Sequence, residues 1–104
     1  MNFILKFDKK FDREFKKIDK SISERMFKKI EKLEINPSSE GKPLPHTKPA
    51  LWELKIDVYR VFYIIQHNNQ EIWVLSVKHK DECDKYIRKG YLKDFNDLSE
   101  NFSS

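Results

Sequence analysis

Leu51-Trp52-Glu53-Leu54-Lys55-Ile56-Asp57-Val58-Tyr59-Arg60-Val61-Phe62-Tyr63 carries most of the architectural information in the chain. Apolar residues alternate before Asp57, and Tyr59 to Gln66 is a nearly unbroken run of β-branched and aromatic residues. Both are strand patterns. A hairpin turning at Asp57-Val58 pairs Ile56 with Tyr59, Leu54 with Val61 and Trp52 with Tyr63, which makes one continuous apolar face. The other face pairs Lys55 with Arg60, Glu53 with Phe62 and Leu51 with Ile64. A slip of one residue would bury Lys55 and Arg60, so the pattern itself selects the register. Val58 is a poor turn residue, which leaves room for a looser join.

Glu71 to Lys78 reads as a third strand, reached through His67-Asn68-Asn69-Gln70, where Asn tolerates positive φ. Upstream, Asn2 to Phe7 is a short strand and Asp8 can cap the helix that follows. Phe11, Phe15 and Ile18 recur at helical spacing with Lys9, Lys10, Lys16 and Lys17 between them, giving about three turns. Ser21 and Glu24 form a capping box. The helix behind it carries Ile22, Met26, Ile30 and Leu33 on one face and stops at Asn36-Pro37. So short a break between two helices predicts an antiparallel helical hairpin. Asn36 to Pro49, with four prolines, is expected to be a loop. Asp81 can cap a last helix over Glu82 to Lys89, ended by Gly90. Tyr91, Leu92, Phe95, Leu98 and Phe102 suggest a further helical turn or two, and a tail after about residue 90 that is open to movement, its last residues fraying. The expected fold is α+β in the order β-α-α-β-β-β-α, with an antiparallel sheet, the helical hairpin on one face and a C-terminal helix.

With 104 residues the chain makes one domain, spanning 1–104. Aromatic residues, 13% of the total, let a modest hydrophobic content build a core. The net charge of +4 makes a polyanionic partner plausible, and a basic domain without such a partner is the bland alternative. Cys83 is the single cysteine, so no internal disulfide can form, and a reducing cytoplasm is the expected setting. No apolar run approaches membrane-spanning length, and the N-terminus lacks the features of a signal peptide. His46, His67 and His79 are scattered without metal-ligand spacing, and no glycine-rich phosphate loop exists. No metal or other cofactor is expected.

Lys55 opposite Arg60 is a like-charge cross-strand pair, which destabilises a sheet. It is either solvated surface or a grip for an anion. If the third strand pairs through the Asn68-Asn69 turn, His79 follows Leu75 and Val77 onto the side of Lys55 and Arg60. Lys80 lies where strand gives way to helix, and Tyr86 can reach back to the same edge. Such a patch suits RNA, which carries its own nucleophile in the 2′-OH. Lys and Arg can neutralise charge on the phosphate, His can carry protons, and Tyr can stack on a base.

The blocks Leu51 to Ile56, Tyr59 to Tyr63, and Ser76-Val77-Lys78-His79-Lys80-Asp81-Glu82 with Tyr86 resemble the RelE/ParE toxin superfamily. The helical hairpin and the Asn36-Pro37 to Leu44 loop fit as well, so the resemblance covers nearly the whole chain. The RelE branch, whose members bind the ribosomal A site and cleave mRNA, is the better fit. The resemblance implies a type II toxin with a cognate antitoxin, acting on the ribosome and mRNA without a membrane, and meeting promoter DNA only through the antitoxin. It implies Lys55, Arg60, His79, Lys80 and Tyr86 as catalytic residues. Lys55 and Arg60 would grip and neutralise the scissile phosphate, and Lys80 would do likewise or support the leaving group. His79 would carry a proton, and Tyr86 would stack or help activate the 2′-OH. Lys48, Glu53 and Lys78 would line the substrate. Glu53 stands where some relatives have a second Lys, and would be a base or a screen for Lys55. Lys80 stands where Arg is frequent, and Lys lacks the bidentate fork. The alternatives are a ParE-like toxin that inhibits DNA gyrase and cuts nothing, or a degenerate binding protein on the same fold.

Overall fold

The structure, a computed structural model, describes residues 2–102, with side chains through residue 101. Five strands form one sheet: β1 (Ile4–Phe7), β2 (Lys42–Pro43), β3 (Trp52–Ile56), β4 (Tyr59–Gln66) and β5 (Glu71–His79), in the order β1-β5-β4-β3-β2. The β3–β4 register pairs Ile56 with Tyr59, Lys55 with Arg60, Leu54 with Val61, Glu53 with Phe62 and Trp52 with Tyr63, as the alternation demands. The join is a tight Asp57-Val58 turn. Asp57 takes the positive φ of 55°, which spares β-branched Val58 the conformation it cannot adopt. In the second hairpin the positive φ falls on Gln70, at 56°, and not on an asparagine.

The sheet is antiparallel except at one edge, where β1 runs parallel to β5. β1 pairs only with residues 71–74, and beyond that point helix α1 (Lys9–Phe15) takes over the edge of β5. Glu14 accepts hydrogen bonds there from the Ser76 hydroxyl at 2.7 Å and the Val77 N–H at 3.2 Å. The strand edge that β1 leaves unpaired is thus satisfied by a side chain.

Asp8 caps α1 through the Lys10 N–H, and α1 is two turns long, not three. Asp19, not Ser21, caps α2 (Lys20–Glu31), accepting from the Ser21 N–H, so Ser21 and Glu24 lie inside the helix and form no capping box. Pro37 does end the preceding helical run. It also opens a four-residue helix, α3 (Pro37–Glu40), because a proline at the first position has no N–H to lose. The stretch expected as loop therefore holds α3 and β2.

Phe11, Met26, Ile30 and Leu33 pack on one sheet face with Leu54, Val61, Tyr63 and Val74. Phe15 meets Phe27 at a ring distance of 6.2 Å, which brings α1 against α2. The opposite sheet face builds a second core from Leu51, Phe62, Ile64, Trp73 and Leu75, roofed by Cys83, Tyr86, Tyr91 and Leu98. The sheet is therefore buried on both faces over much of its length.

The C-terminal helical region departs most from expectation. A 3-10 turn (Lys80–Glu82) leads through α4 (Cys83–Lys85) and a π-helical turn (Tyr86–Gly90) straight into α5 (Tyr91–Phe102). Gly90 does not terminate the helix. A Cβ at Gly90 would lie 2.7 Å from the Tyr86 ring, so close packing of that ring is what glycine permits. The cap at the start is His79, whose Nδ1 accepts from the Asp81 N–H at 3.2 Å, not Asp81 itself. The expected fraying at 103–104 and the packing of Phe102 lie outside the described residues.

Candidate nucleic-acid interface

Register builds the site. Arg60 pairs with Lys55 on β3 and with Lys78 on β5, so three cations form a row across adjacent strands, on the face of the second core. Phe62, one pair further along the same face, is fully buried, whereas Lys55 is exposed and Arg60 and Lys78 are partly exposed. The row thus begins where the helical roof stops. Arg60 is held by its own turn, its Nη1 donating to the carbonyls of Asp57 at 3.0 Å and Tyr59 at 2.8 Å. Lys78 is fixed from the side by Glu14 at 2.7 Å, with its ammonium 5.3 Å from the Tyr86 ring centre. Among the described residues no carboxylate lies within ion-pair distance of Lys55, Arg60 or Lys80. Accessible cations without a carboxylate partner meet an anion at little desolvation cost.

Lys78 reaches this row because of a β-bulge. The pairing of Tyr63 with Val74 and of Phe62 with Ser76 leaves Leu75 as an extra residue on β5. Before the bulge, Trp73 and Leu75 face the second core, and after it Ser76 and Lys78 do. The inserted residue reverses the parity of the strand.

The same bulge corrects the placement of His79. This residue pairs with Tyr59, on the other face from Arg60, and its ring meets Tyr59 edge-on at 6.1 Å. It does not join Lys55 and Arg60. Tyr86 is corrected too. It is 4% exposed, its ring packs on Phe62 at 5.1 Å, and its hydroxyl donates to Asp94 at 2.7 Å. Burial first, and then Asp94, push its phenol far above the ordinary range. It supports the floor of the site and offers no free face for stacking. Lys80 is exposed beside the hairpin turn, its N–H donating to the Val58 carbonyl at 2.7 Å. Glu53 shares the face of Lys55, one pair further in. Lys48 stands apart from the row on the proline-rich loop, its N–H donating to the Tyr91 hydroxyl at 3.0 Å.

Sequence reasoning did not single out Glu14, Lys10 or Asp94. Asp94, 5% exposed, accepts from Tyr86 and is 3.2 Å from Lys10, which ties α5 to α1. A charged residue in the hydrophobic face of a C-terminal helix was the signal available. Cys83 is buried, and its thiol donates to the His79 carbonyl at 3.4 Å. Burial raises its pKa, Glu53 adds to that and Arg60 opposes it, which disfavours the reactive thiolate. Among the described residues no group of His, Cys, Asp and Glu is placed to hold a metal ion, and no helix is long and apolar enough to cross a membrane.

The mixed sheet thus carries a basic row where the helical cover of one face stops. Residues 5–83 match the sequence model of the family described as the ParE toxin of the type II toxin–antitoxin system parDE. The chain belongs to this family, within the RelE/ParE superfamily. No curated protein matches by sequence. Solved structures do match. The RelE–RelB complex of Pyrococcus horikoshii is 21% identical, with a TM-score of 0.68, over 77% of this chain and 97% of that one. The RelBE2 toxin–antitoxin complex of Mycobacterium tuberculosis is 22% identical, with a TM-score of 0.67, over 76% and 99%. The intact RelBE complex of E. coli is 25% identical, with a TM-score of 0.66, over 74% and 95%. The protein is thus a type II toxin of the RelE/ParE superfamily.

Proposed function

We propose that this toxin cleaves mRNA on the ribosome, in the manner of the RelE branch, and is restrained by a cognate antitoxin. The observation that carries this reading is the row of Lys55, Arg60 and Lys78 on one face of the sheet, with exposed Lys80 beside it; Lys78 is paired with Glu14, and the other three have no carboxylate partner. In the reaction, the RNA 2′-oxygen attacks the adjacent phosphorus, its proton passes to a base, and the bond to the 5′-oxygen breaks as that oxygen gains a proton. A cyclic phosphate and a 5′-hydroxyl remain. Lys55 and Arg60 stabilise the charge that builds on the phosphoryl oxygens. Glu53 is the carboxylate best disposed to take the proton, since His79 and Tyr86 are turned away. The ribosome supplies the alignment that so open a face lacks. The antitoxin is proposed because the RelE chains of similar structure were solved with antitoxins bound.

Primer extension on mRNA translated in a purified system tests this. Cuts within codons are expected with the wild-type chain, weakened by about 100-fold or more in Arg60→Ala, which removes a charge-stabilising donor. Naked RNA is expected to be cut poorly. Intact translated mRNA would overturn the proposal. The competing reading, a gyrase inhibitor, draws on the ParE family match and on the absence of His79 and Tyr86 from the row. A supercoiling assay with DNA gyrase alongside the primer extension separates the two.

A further inference from the structure

Beside the basic row lies a cleft of about 440 Å³ lined by Lys78, Glu82, Lys85, Tyr86, Lys89 and Gly90. We propose that this cleft is a second anion subsite, which takes the neighbouring backbone phosphate of a single RNA strand whose first phosphate sits on the row. The proposal rests on the RNA-cutting reading and extends it.

Four observations carry it. The volume falls within the range of about 300–1,000 Å³ typical of ligand sites. Three of its six lining residues are lysines; Glu82 is the one carboxylate in the lining and Glu14 pairs with Lys78, so Lys85 and Lys89 are the lysines left to meet an anion. The cleft joins the row without a gap, because Lys78 belongs to both and is locked in place by Glu14 at 2.7 Å. Its shape is built into the backbone. The π-helical turn at Tyr86–Gly90 widens the helix locally, and Lys85 and Lys89 are exposed. Gly90 adds no side chain, and the buried Tyr86 ring makes the floor. A strand crossing from Arg60 past Lys78 therefore meets cations on the sheet first and on the helix next. A nucleic acid strand satisfies this layout better than an isolated phosphate, which one grip would hold.

The test compares the wild-type chain with a Lys85→Gln/Lys89→Gln double variant and with Lys16→Gln/Lys17→Gln, exposed lysines on the far helical layer that serve as control. Circular dichroism and thermal melting establish that all three are folded. Binding of a fluorescent ten-nucleotide RNA, uncleavable because its 2′-hydroxyls are methylated, is measured from 50 to 300 mM salt. Inorganic phosphate and an oligoglutamate peptide are measured in parallel. The Lys85/Lys89 variant is expected to lose about 0.7 from the slope of log K against log salt, one single-strand phosphate contact, with the control unchanged. An equal slope in variant and wild type would overturn the subsite. So would loss of oligoglutamate binding with RNA binding intact, which would assign the cleft to an acidic protein segment, or an equal effect on inorganic phosphate alone. Failure of the wild-type chain to cut translated mRNA would refute the cleavage reading while leaving the slope to be judged separately.

Discussion

Tyr86 shows how one side chain can change its meaning between sequence and structure. By spacing it is a phenol near a basic edge. In the fold its hydroxyl donates to Asp94 at 2.7 Å, beneath the ring of Phe62. Tyr86→Phe keeps the ring and leaves the buried Asp94 carboxylate with Lys10 alone. The expected loss is about 1–3 kcal/mol of stability, read from urea unfolding. If the phenol instead did chemistry on RNA, cleavage would collapse while stability held. Spacing alone did not mark Tyr86 as buried, because the ring it packs on, Phe62, comes from β4, far along the chain. Lys55 and Arg60, by contrast, were legible as a pair, since Asp57 and the flanking alternation leave only one register that buries the apolar residues.

At the level of elements, hairpins with strict alternation were readable and irregularities were not. The bulge at Leu75 lies in a run, Ile72 to Val77, with too little polar alternation to reveal a parity change. It turns His79 away from Arg60 and sets Lys78 opposite Arg60, for a reason that spacing does not supply. The π-helical turn was hidden because Gly90 carries the ordinary signature of a helix end. The parallel pairing of β1 was also beyond reach, since a short strand names no partner. That edge has its own electrostatic tie. Lys6 stands 3.2 Å from Glu71, which also accepts from the Trp73 indole at 3.1 Å. The indole hydrogen bond chiefly, and then Lys6, hold the Glu71 carboxyl below its ordinary value of 4.5. A depressed folded pKa means that this stabilisation is complete above the unfolded value and is lost as pH falls through the folded one. Stability should therefore drop below about pH 4.5, and Glu71→Gln should flatten that part of the profile. Urea midpoints at pH 3, 4, 5 and 7 provide the check, and identical profiles for the two chains would refute the tie.

The whole molecule is a sheet with two cores, and only one was foreseen. On the face bearing Lys55 and Arg60, Leu51, Phe62 and Ile64 lie under α4 and α5. The helical tail is accordingly structural. Deleting residues 91–104 removes Tyr91 and Leu98, both nearly inaccessible to solvent, from the second core. At about 2–5 kcal/mol for each large buried side chain, that is comparable to the whole stability of a small domain, about 5–15 kcal/mol. The truncated chain is expected to show no cooperative unfolding transition and to bind hydrophobic dyes; a sharp transition at the full-length midpoint would contradict the two-core description.

The contact between Lys10 and Asp94, 84 residues apart, has a consequence for how the protein is made. Synthesis delivers the N-terminus first. β1 then waits for β5, and the roof over Phe62 waits for α5. The cationic face is consequently finished only once α5 has emerged. A nascent chain that has not yet delivered α5 carries the lysines and the arginine but not the rigid surface that aligns them.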